Sequence, residues 1–376
     1  MNNINNIIKG DKILNRYLQT GKEEFCYGCG MCEMICPTEA IVMTADEKGF
    51  RYPVLNEKKC IGCRKCENVC PISISDKYPK NNDFYVVYHK NEGVREKSQS
   101  GGFFTALSDY FLSEDGVVYG AAIGENFEVV HIRAEDENIR NQMRGSKYVQ
   151  SVIYREVLEQ MEEDIRKGRK VLFMGTPCQC AMVKKNYNGY KNLLVCEFLC
   201  HGTPSPKIWK DYLKLCESMW GKITGIVFRN YKGVNRECIY TEDSCEHTGG
   251  KYAGIFYSKR AHRPSCFECQ FACEERYGDI TCGGFLDGDI NGELNIMKSM
   301  VMIHNDKAET VFKEISQFLN IEKKKMFFMK NQPALYNHFG KPQDVNEFYH
   351  DYFDKGIEYA LDKYITDEWK KRLELN

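Results

Sequence analysis

Eight cysteines fall in a frame that occurs twice, C-x-x-C-x-x-C-x-x-x-C-P. The first copy is Cys26, Cys29, Cys32, Cys36 and Pro37; the second is Cys60, Cys63, Cys66, Cys70 and Pro71. A duplicated thiolate frame of this spacing holds two cubane 4Fe–4S clusters. Three ligands on one tight loop can wrap one cluster, and the fourth, after a longer gap, points back to the other. One cluster is therefore expected on Cys26, Cys29, Cys32 and Cys70, and the second on Cys60, Cys63, Cys66 and Cys36. Each Pro turns the chain away without offering a competing N–H. Tandem zinc knuckles are the alternative for paired C-x-x-C motifs; the additional x-x-C and both prolines argue against them.

Further cysteines extend the possibilities. Cys266-x-x-Cys269-x-x-x-Cys273 follows Arg263-Pro264 at metal-ligand spacing. With Cys200, or with Cys178, these three could hold a third cluster; the candidate set is Cys200, Cys266, Cys269 and Cys273. His201 is either a proton donor or a hydrogen-bonded structural residue. Cys216, Cys238, Cys245 and Cys282 show no ligand spacing and read as buried or incidental thiols.

Three loops stand where strands meet helices, the usual ligand position in open α/β sheets. Ser100-Gly101-Gly102 opens a helix, and its glycines would let a phosphate approach the backbone N–H groups; a plain cap by Ser100 reads equally well. Gly145 to Ser151 sets Ser146, Lys147, Tyr148 and Gln150 together, a cation, an aromatic and amides that suit a flavin phosphate or ring. Gly175-Thr176-Pro177-Cys178 is a strand-to-helix turn whose cysteine is a nucleophile, a metal ligand, a flavin neighbour or a buried thiol. Two decoys are set aside. Asp287 to Gly292 copies the start of an EF-hand loop, but the twelfth position is Lys298 rather than a bidentate Glu. No G-x-G-x-x-G follows the first α/β strand, so no Rossmann dinucleotide site is indicated.

The elements that must position these residues read as α+β, a small dicluster unit followed by a larger α/β domain. Ile4, Ile7, Ile8, Leu14 and Leu18 suggest a short lead-in helix. Ile41-Val42-Met43 and Phe50 to Val54 flank a Gly-containing turn and predict a hairpin that covers the clusters. Asp76 to Asp83 is polar and carries a proline, a linker. Strands are expected at Phe84–Tyr88, Val117–Ile123, Phe127–Ile132, Lys170–Met174, Leu193–Leu199 and Met300–Ile303. Helices are expected after Gly102, over Tyr154–Lys167, from Ser205-Pro206 and over Asp306–Leu319, with helical segments after Gln332.

Composition bounds the function. With 376 residues there is room for two or three cored domains, and the formal net charge of −1 lacks the basic excess of a nucleic-acid binder. No run of about 18 apolar residues is present to span a membrane. Nineteen cysteines without an apolar leader at the N-terminus point to a reducing, cytoplasmic setting rather than a disulfide scaffold, and to oxygen sensitivity, as in an anaerobe.

Taken in order, SGGFFTAL, GSKYVQS, VLFMGTPCQ, CEFLCHGTPSPKIW, FRNYKG, RPSCFEC and RYGDIT resemble the coenzyme F-420 hydrogenase/dehydrogenase beta-subunit family, from about Phe84 to the C-terminus. The resemblance implies an iron–sulfur flavoprotein oxidoreductase that binds FAD (or FMN) between the two parts of the family domain. It would pass electrons from reduced ferredoxin or a redox partner subunit to a small-molecule hydride acceptor such as F-420. The alternative is an electron-transfer subunit of a larger hydrogenase or dehydrogenase complex without its own substrate site. By motif, Ser100, Gly101, Gly102, Ser146, Lys147, Tyr148, Gln150, Gly175, Thr176, Pro177 and Cys178 fall at the flavin loops, and Lys147, Cys178 and His201 are the catalytic candidates. The implied division is 1–80 dicluster domain, 84–165 and 166–330 the N- and C-terminal family parts, and 331–376 a helical tail. After DIT the family carries a Gly-Asp step and an aromatic pair; here Cys282-Gly283-Gly284-Phe285-Leu286 stands instead, so no role carries over for that Asp and aromatic.

Overall fold

The computed structural model describes residues 16–81, 83–229, 237–243, 245–285, 298–326, 332–365 and 369. The EF-hand decoy and most of the lead-in segment, Ile4 to Leu14, lie outside them.

The N-terminal unit is built around its cysteine loops. It contains helix α1 (Arg16–Thr20), helix α2 (Met31–Met34), hairpin strands β1 (Ile41–Ala45) and β2 (Arg51–Leu55), and helix α3 (Lys65–Asn68). The hairpin pairs Ile41 with Leu55 through Ala45 with Arg51. Because side chains alternate along a strand, Ile41 and Met43 face inward, packed with Cys32, Cys36 and Cys66, while Val42 and Val54 face out. The expected cover is therefore present.

The rest is dominated by one eight-stranded sheet of order β13-β3-β12-β11-β7-β6-β4-β5. Its strands are β3 (Asp83–His89), β4 (Val117–Ile123), β5 (Val129–Ala134), β6 (Val171–Gly175), β7 (Leu193–Phe198), β11 (Ile280–Phe285), β12 (Lys298–Ile303) and β13 (Leu319–Lys325). Strands β4, β6, β7 and β11 run parallel, and antiparallel strands extend both edges. The parallel centre reads as near-continuous apolar runs because both faces are covered. Val118, Leu172, Leu194 and Ile280 meet helices α5 (Phe103–Ser113) and α11 (Asp306–Ile315) on one face. Val117, Tyr119, Val171, Phe173, Leu193 and Val195 meet α7 (Arg155–Arg166) and α8 (Pro177–Tyr187) on the other, joined there by Met31 of the cluster unit. Two short helices, α4 (Glu92–Glu96) and α6 (Glu137–Asn141), flank this body. A second core joins helix α9 (Pro206–Trp220), the small sheet β8 (Ile223–Val227), β9 (Cys238–Thr241) and β10 (Glu246–Thr248), helix α10 (Lys251–Ser258) and the C-terminal helix α12 (Val345–Tyr364).

Two expectations need correction. The helix expected over Asp306–Leu319 ends at Ile315; a 3-10 turn follows and Leu319 starts edge strand β13. The linker 76–83 is not loose. Tyr78 bridges Arg276 through backbone bonds of 2.7 and 3.2 Å, and its hydroxyl bonds Asp279 at 3.1 Å.

A buried polar node supports this pinning. Glu197 on β7 accepts from Arg276 Nε, from Gly278 N at 3.0 Å and from Thr281 Oγ1 at 2.9 Å. Asp279 accepts from Lys184 Nζ at 2.8 Å, Asn305 Nδ2 at 2.7 Å and Val195 N at 2.8 Å. Both carboxylates are fully buried and stand only because every oxygen is met. The RYGDIT stretch is thus a structural tie between sheet, linker and the 264–276 segment.

Candidate iron–sulfur relay

The two cysteine loops share one backbone pattern. Gly28 and Gly30 have positive φ in the first copy, at 69° and 79°; Gly62 and Arg64 have it in the second, at 67° and 57°. These left-handed positions curl three cysteines round a common centre. Cys26, Cys29, Cys32 and Cys70 line one cavity together with Gly28, Gly30 and Met43. Burial pushes the Cys32 thiol well up, and Cys29, Cys26 and Cys70 push it the same way. In the other set burial raises Cys66, with Cys36 and Cys63 among its charged neighbours. Burial also acts to raise Cys36, but backbone N–H and Thr38 hydrogen bonds outweigh it and lower the thiol, Ala40 N donating to its sulfur at 3.2 Å. Cys60 and Cys63 reach solvent.

A third group of sulfurs is assembled by the fold. Cys178 sits in the first turn of α8, behind a capping box in which Thr176 and Gln179 bond reciprocally. Cys200 follows β7, and Gly202 N bonds its sulfur at 3.4 Å. Cys266 lies in, and Cys269 just after, the 3-10 turn Pro264–Glu268. Burial pushes the Cys269 thiol well up, and Cys178, Cys266 and Cys200 follow as its charged neighbours. Burial likewise pushes Cys178 up to about 11, with Cys266 beside it. Cys273 packs with Cys178 and Cys269 against Tyr27, Phe271 and Tyr277, while its thiol faces Lys77, Arg276 and Glu275 and bonds Glu275 O at 3.0 Å. Of the two alternatives for a fourth member, Cys200 and Cys178, both appear with Cys266 as charged neighbours of Cys269. Among the described residues no three His, Cys, Asp or Glu side chains close on a single metal ion.

The first and third sets adjoin. Burial raises Cys29 strongly, and Cys178 is among the thiols that raise it further. Tyr27, buried and edge-on to Phe271, packs with Cys269 and Cys178. Arg263 fastens the junction. Its Nε donates to Cys26 O at 2.7 Å, Nη1 to Gln150 Oε1 at 3.0 Å and Nη2 to Arg51 O at 3.0 Å, and its guanidinium lies 4.3 Å from the Tyr52 ring centroid. Sequence reasoning missed this residue, whose only signal was its place ahead of Pro264.

The three glycine-bearing loops are linked one to the next by hydrogen bonds. Ser146 N donates to Gln99 Oε1 at 2.7 Å, and Gln179 Nε2 to Ser151 Oγ at 3.0 Å. Their polar groups are largely occupied. Ser100 Oγ meets Ser299 Oγ at 3.0 Å. Lys147, buried and pushed down to about 7 by desolvation, donates to the carbonyls of Gln142, Met143 and Arg144 at 2.7 to 3.2 Å. Gln150 bridges Arg263 to Tyr27 O, and the Tyr148 ring packs on Phe256. His201 is exposed, with its carbonyl bound by Lys259. His131 Nδ1 and Arg144 Nε, both beside these loops, are buried without a partner among the described residues.

Fold and site together define an iron–sulfur protein of electron-transfer type. Residues 25–74 match the 4Fe-4S dicluster domain, and residues 168–326 match the C-terminal region of the coenzyme F420 hydrogenase/dehydrogenase beta subunit. The chain thus carries a region similar to the dicluster domain ahead of a region similar to that C-terminal part. One similar solved structure is a chain of the F420-reducing [NiFe] hydrogenase complex from Methanosarcina barkeri, 18% identical over 76% of this chain and 97% of that one, at a TM-score of 0.48. No described helix is long and apolar enough to cross a membrane.

Proposed function

We propose that the chain is an iron–sulfur flavoprotein oxidoreductase with three cubane clusters. Electrons enter at the set Cys60, Cys63, Cys66 and Cys36, cross the set Cys26, Cys29, Cys32 and Cys70, and reach the set Cys178, Cys200, Cys266 and Cys269. From there a flavin beside the Ser100, Lys147 and Gly175 loops exchanges hydride with a small acceptor such as F-420. The carrying observation is that Cys178 and Cys269 pack against Tyr27, which lies between Cys26 and Cys29 of the first set. Clusters move single electrons, and a flavin couples these to the paired electrons of hydride transfer. The chain's own residues hold the geometry: Arg263 keeps the first set seated, Tyr27 closes the space toward the third, and His131 leaves an unpaired acceptor and Arg144 an unpaired donor beside the flavin loops.

Anaerobic purification with iron, sulfide and released-flavin assays tests this. The expectation is about twelve irons and one flavin per chain. About eight irons would remove the third cluster; no flavin would favour the second reading, an electron-transfer subunit that passes electrons to a partner. The internal bonding of Lys147 and Gln150 favours that second reading, because it leaves neither side chain free for a ligand.

A further inference from the structure

The second cysteine loop carries a concentration of positive charge around the exposed end of the relay. Of the cysteines assigned to clusters, only Cys60 and Cys63 are exposed. Between them lies Ile61, 66% exposed, more than any other large apolar side chain among the described residues. Lys58, Lys59, Arg64 and Lys65 are all exposed around it. Residues 57–65 thus carry four cations to one carboxylate, whereas residues 22–56 carry three cations and six carboxylates. Among the described residues only Arg64 of these four approaches a carboxylate, Glu67 at 3.7 Å.

Arg64 adds an independent observation. It precedes α3 with φ 57°, and its counterpart in the first copy is Gly30 with φ 79°. A left-handed conformation is free for glycine and costs roughly 1–2 kcal/mol for an arginine. An unstrained residue is available at this position by the example of the first copy, yet a guanidinium is kept at the solvent end. Strain of this kind is retained where the side chain is used.

We infer that the loop 57–65 is the docking surface for a small acidic one-electron carrier protein, with Ile61 at the centre of contact and Lys58, Lys59, Arg64 and Lys65 as its basic rim. The partner is acidic because the rim is basic and, apart from Arg64, has no carboxylate beside it among the described residues; complementary charge raises the encounter rate and fixes orientation. The step is the passage of one electron: the carrier is oxidised by one electron, the acceptor set Cys60, Cys63, Cys66 and Cys36 receives it, and no bond is made or broken. This inference rests on the relay reading above.

The test uses the anaerobically purified full chain and a small acidic dicluster ferredoxin. Binding is measured first with both proteins oxidised, so that no turnover is involved. Arg64→Gly and the pair Lys58→Gln with Lys59→Gln should each weaken binding about tenfold at low salt, and the difference should vanish near 1 M salt. Arg64→Gly relieves strain, so loss of fold does not confuse the result. Bleaching by reduced methyl viologen should be unchanged in every variant. Unaltered affinity in both variants, or an effect insensitive to salt, overturns the docking surface. An equal fall in the methyl viologen rate assigns the cations to tuning the cluster and overturns it too. A wild-type chain that methyl viologen cannot bleach overturns the relay reading itself.

Discussion

Cys178 and Cys273 separate what spacing can say from what folding decides. Cys273 sits at a suitable interval from Cys269, and an interval is all a sequence displays. Cys178 joins the proposed set because the C-terminal end of β6 lies next to that of β7, a juxtaposition produced by the sheet order. Cys178→Ser should therefore lower iron by about four per chain while Cys273→Ser leaves it unchanged, read by iron assay and cluster absorbance. The two N-terminal cysteine loops were legible because each is local and turns on its own left-handed residues, Gly28 and Gly30 in one and Gly62 and Arg64 in the other. A second prediction concerns protons. Burial pushes His131 and His304 down to about 4. The unfolded chain takes up protons at both near pH 6.5, while the folded chain refuses them until near pH 4. Stability is thus fullest above pH 6.5 and falls as pH drops through that window, at about 1.4 kcal/mol per unit per histidine. Comparing the melting midpoints of wild type and His131→Asn at pH 7 and pH 5.5 checks this; the variant should lose less on acidification.

At the scale of elements, the Ser100-Gly101-Gly102 loop illustrates how one motif serves two readings. Gly101 N donates to Ser299 Oγ at 2.9 Å, and a Cβ there would press on Val87 O and lie 2.7 Å from Ser299 N. Close approach to β3 and β12 therefore requires glycine here whether or not a phosphate binds. Gly101→Ala should destabilise the sheet at β3 and β12 by about 1–3 kcal/mol through overpacking, measured by anaerobic denaturant unfolding. Most strands and helices were visible as apolar runs and caps. Strand β13 was not: LNIEKKK looks like the end of an amphipathic helix, and its lysines belong to an exposed edge, where charge discourages pairing with another chain. The small sheet β8 to β10 was also missed, each strand being too short to carry a period.

At the scale of the molecule, the cluster unit is clamped rather than tethered. Arg263 and Gln150 hold the first cysteine loop, Ser205 Oγ donates to Lys48 O, and Lys185 Nζ donates to Ser73 Oγ at 2.8 Å. The polar composition of 76–83 gave no sign of this, because the partners at Arg276 and Asp279 lie some two hundred positions away. Limited anaerobic proteolysis should cut slowly across 76–81 in the wild type. Arg276→Met, which leaves the Glu197 carboxylate buried without its partner, should lower stability by about 3–5 kcal/mol and release the N-terminal unit readily.

The clamp also bears on how such chains can be recombined. A Cβ at Gly28 would lie 2.9 Å from Arg263 Nη1, and one at Gly49 would lie 2.7 Å from Lys207 N. Gly28 N also donates to Cys26 Sγ at 3.4 Å, and each glycine is a clearance that lets the two halves close. A foreign dicluster module grafted onto residue 84 would keep its own metal chemistry and still fail to seat unless it brought glycine to both places. The interface therefore acts as a compatibility check between modules, written in two missing methyl groups.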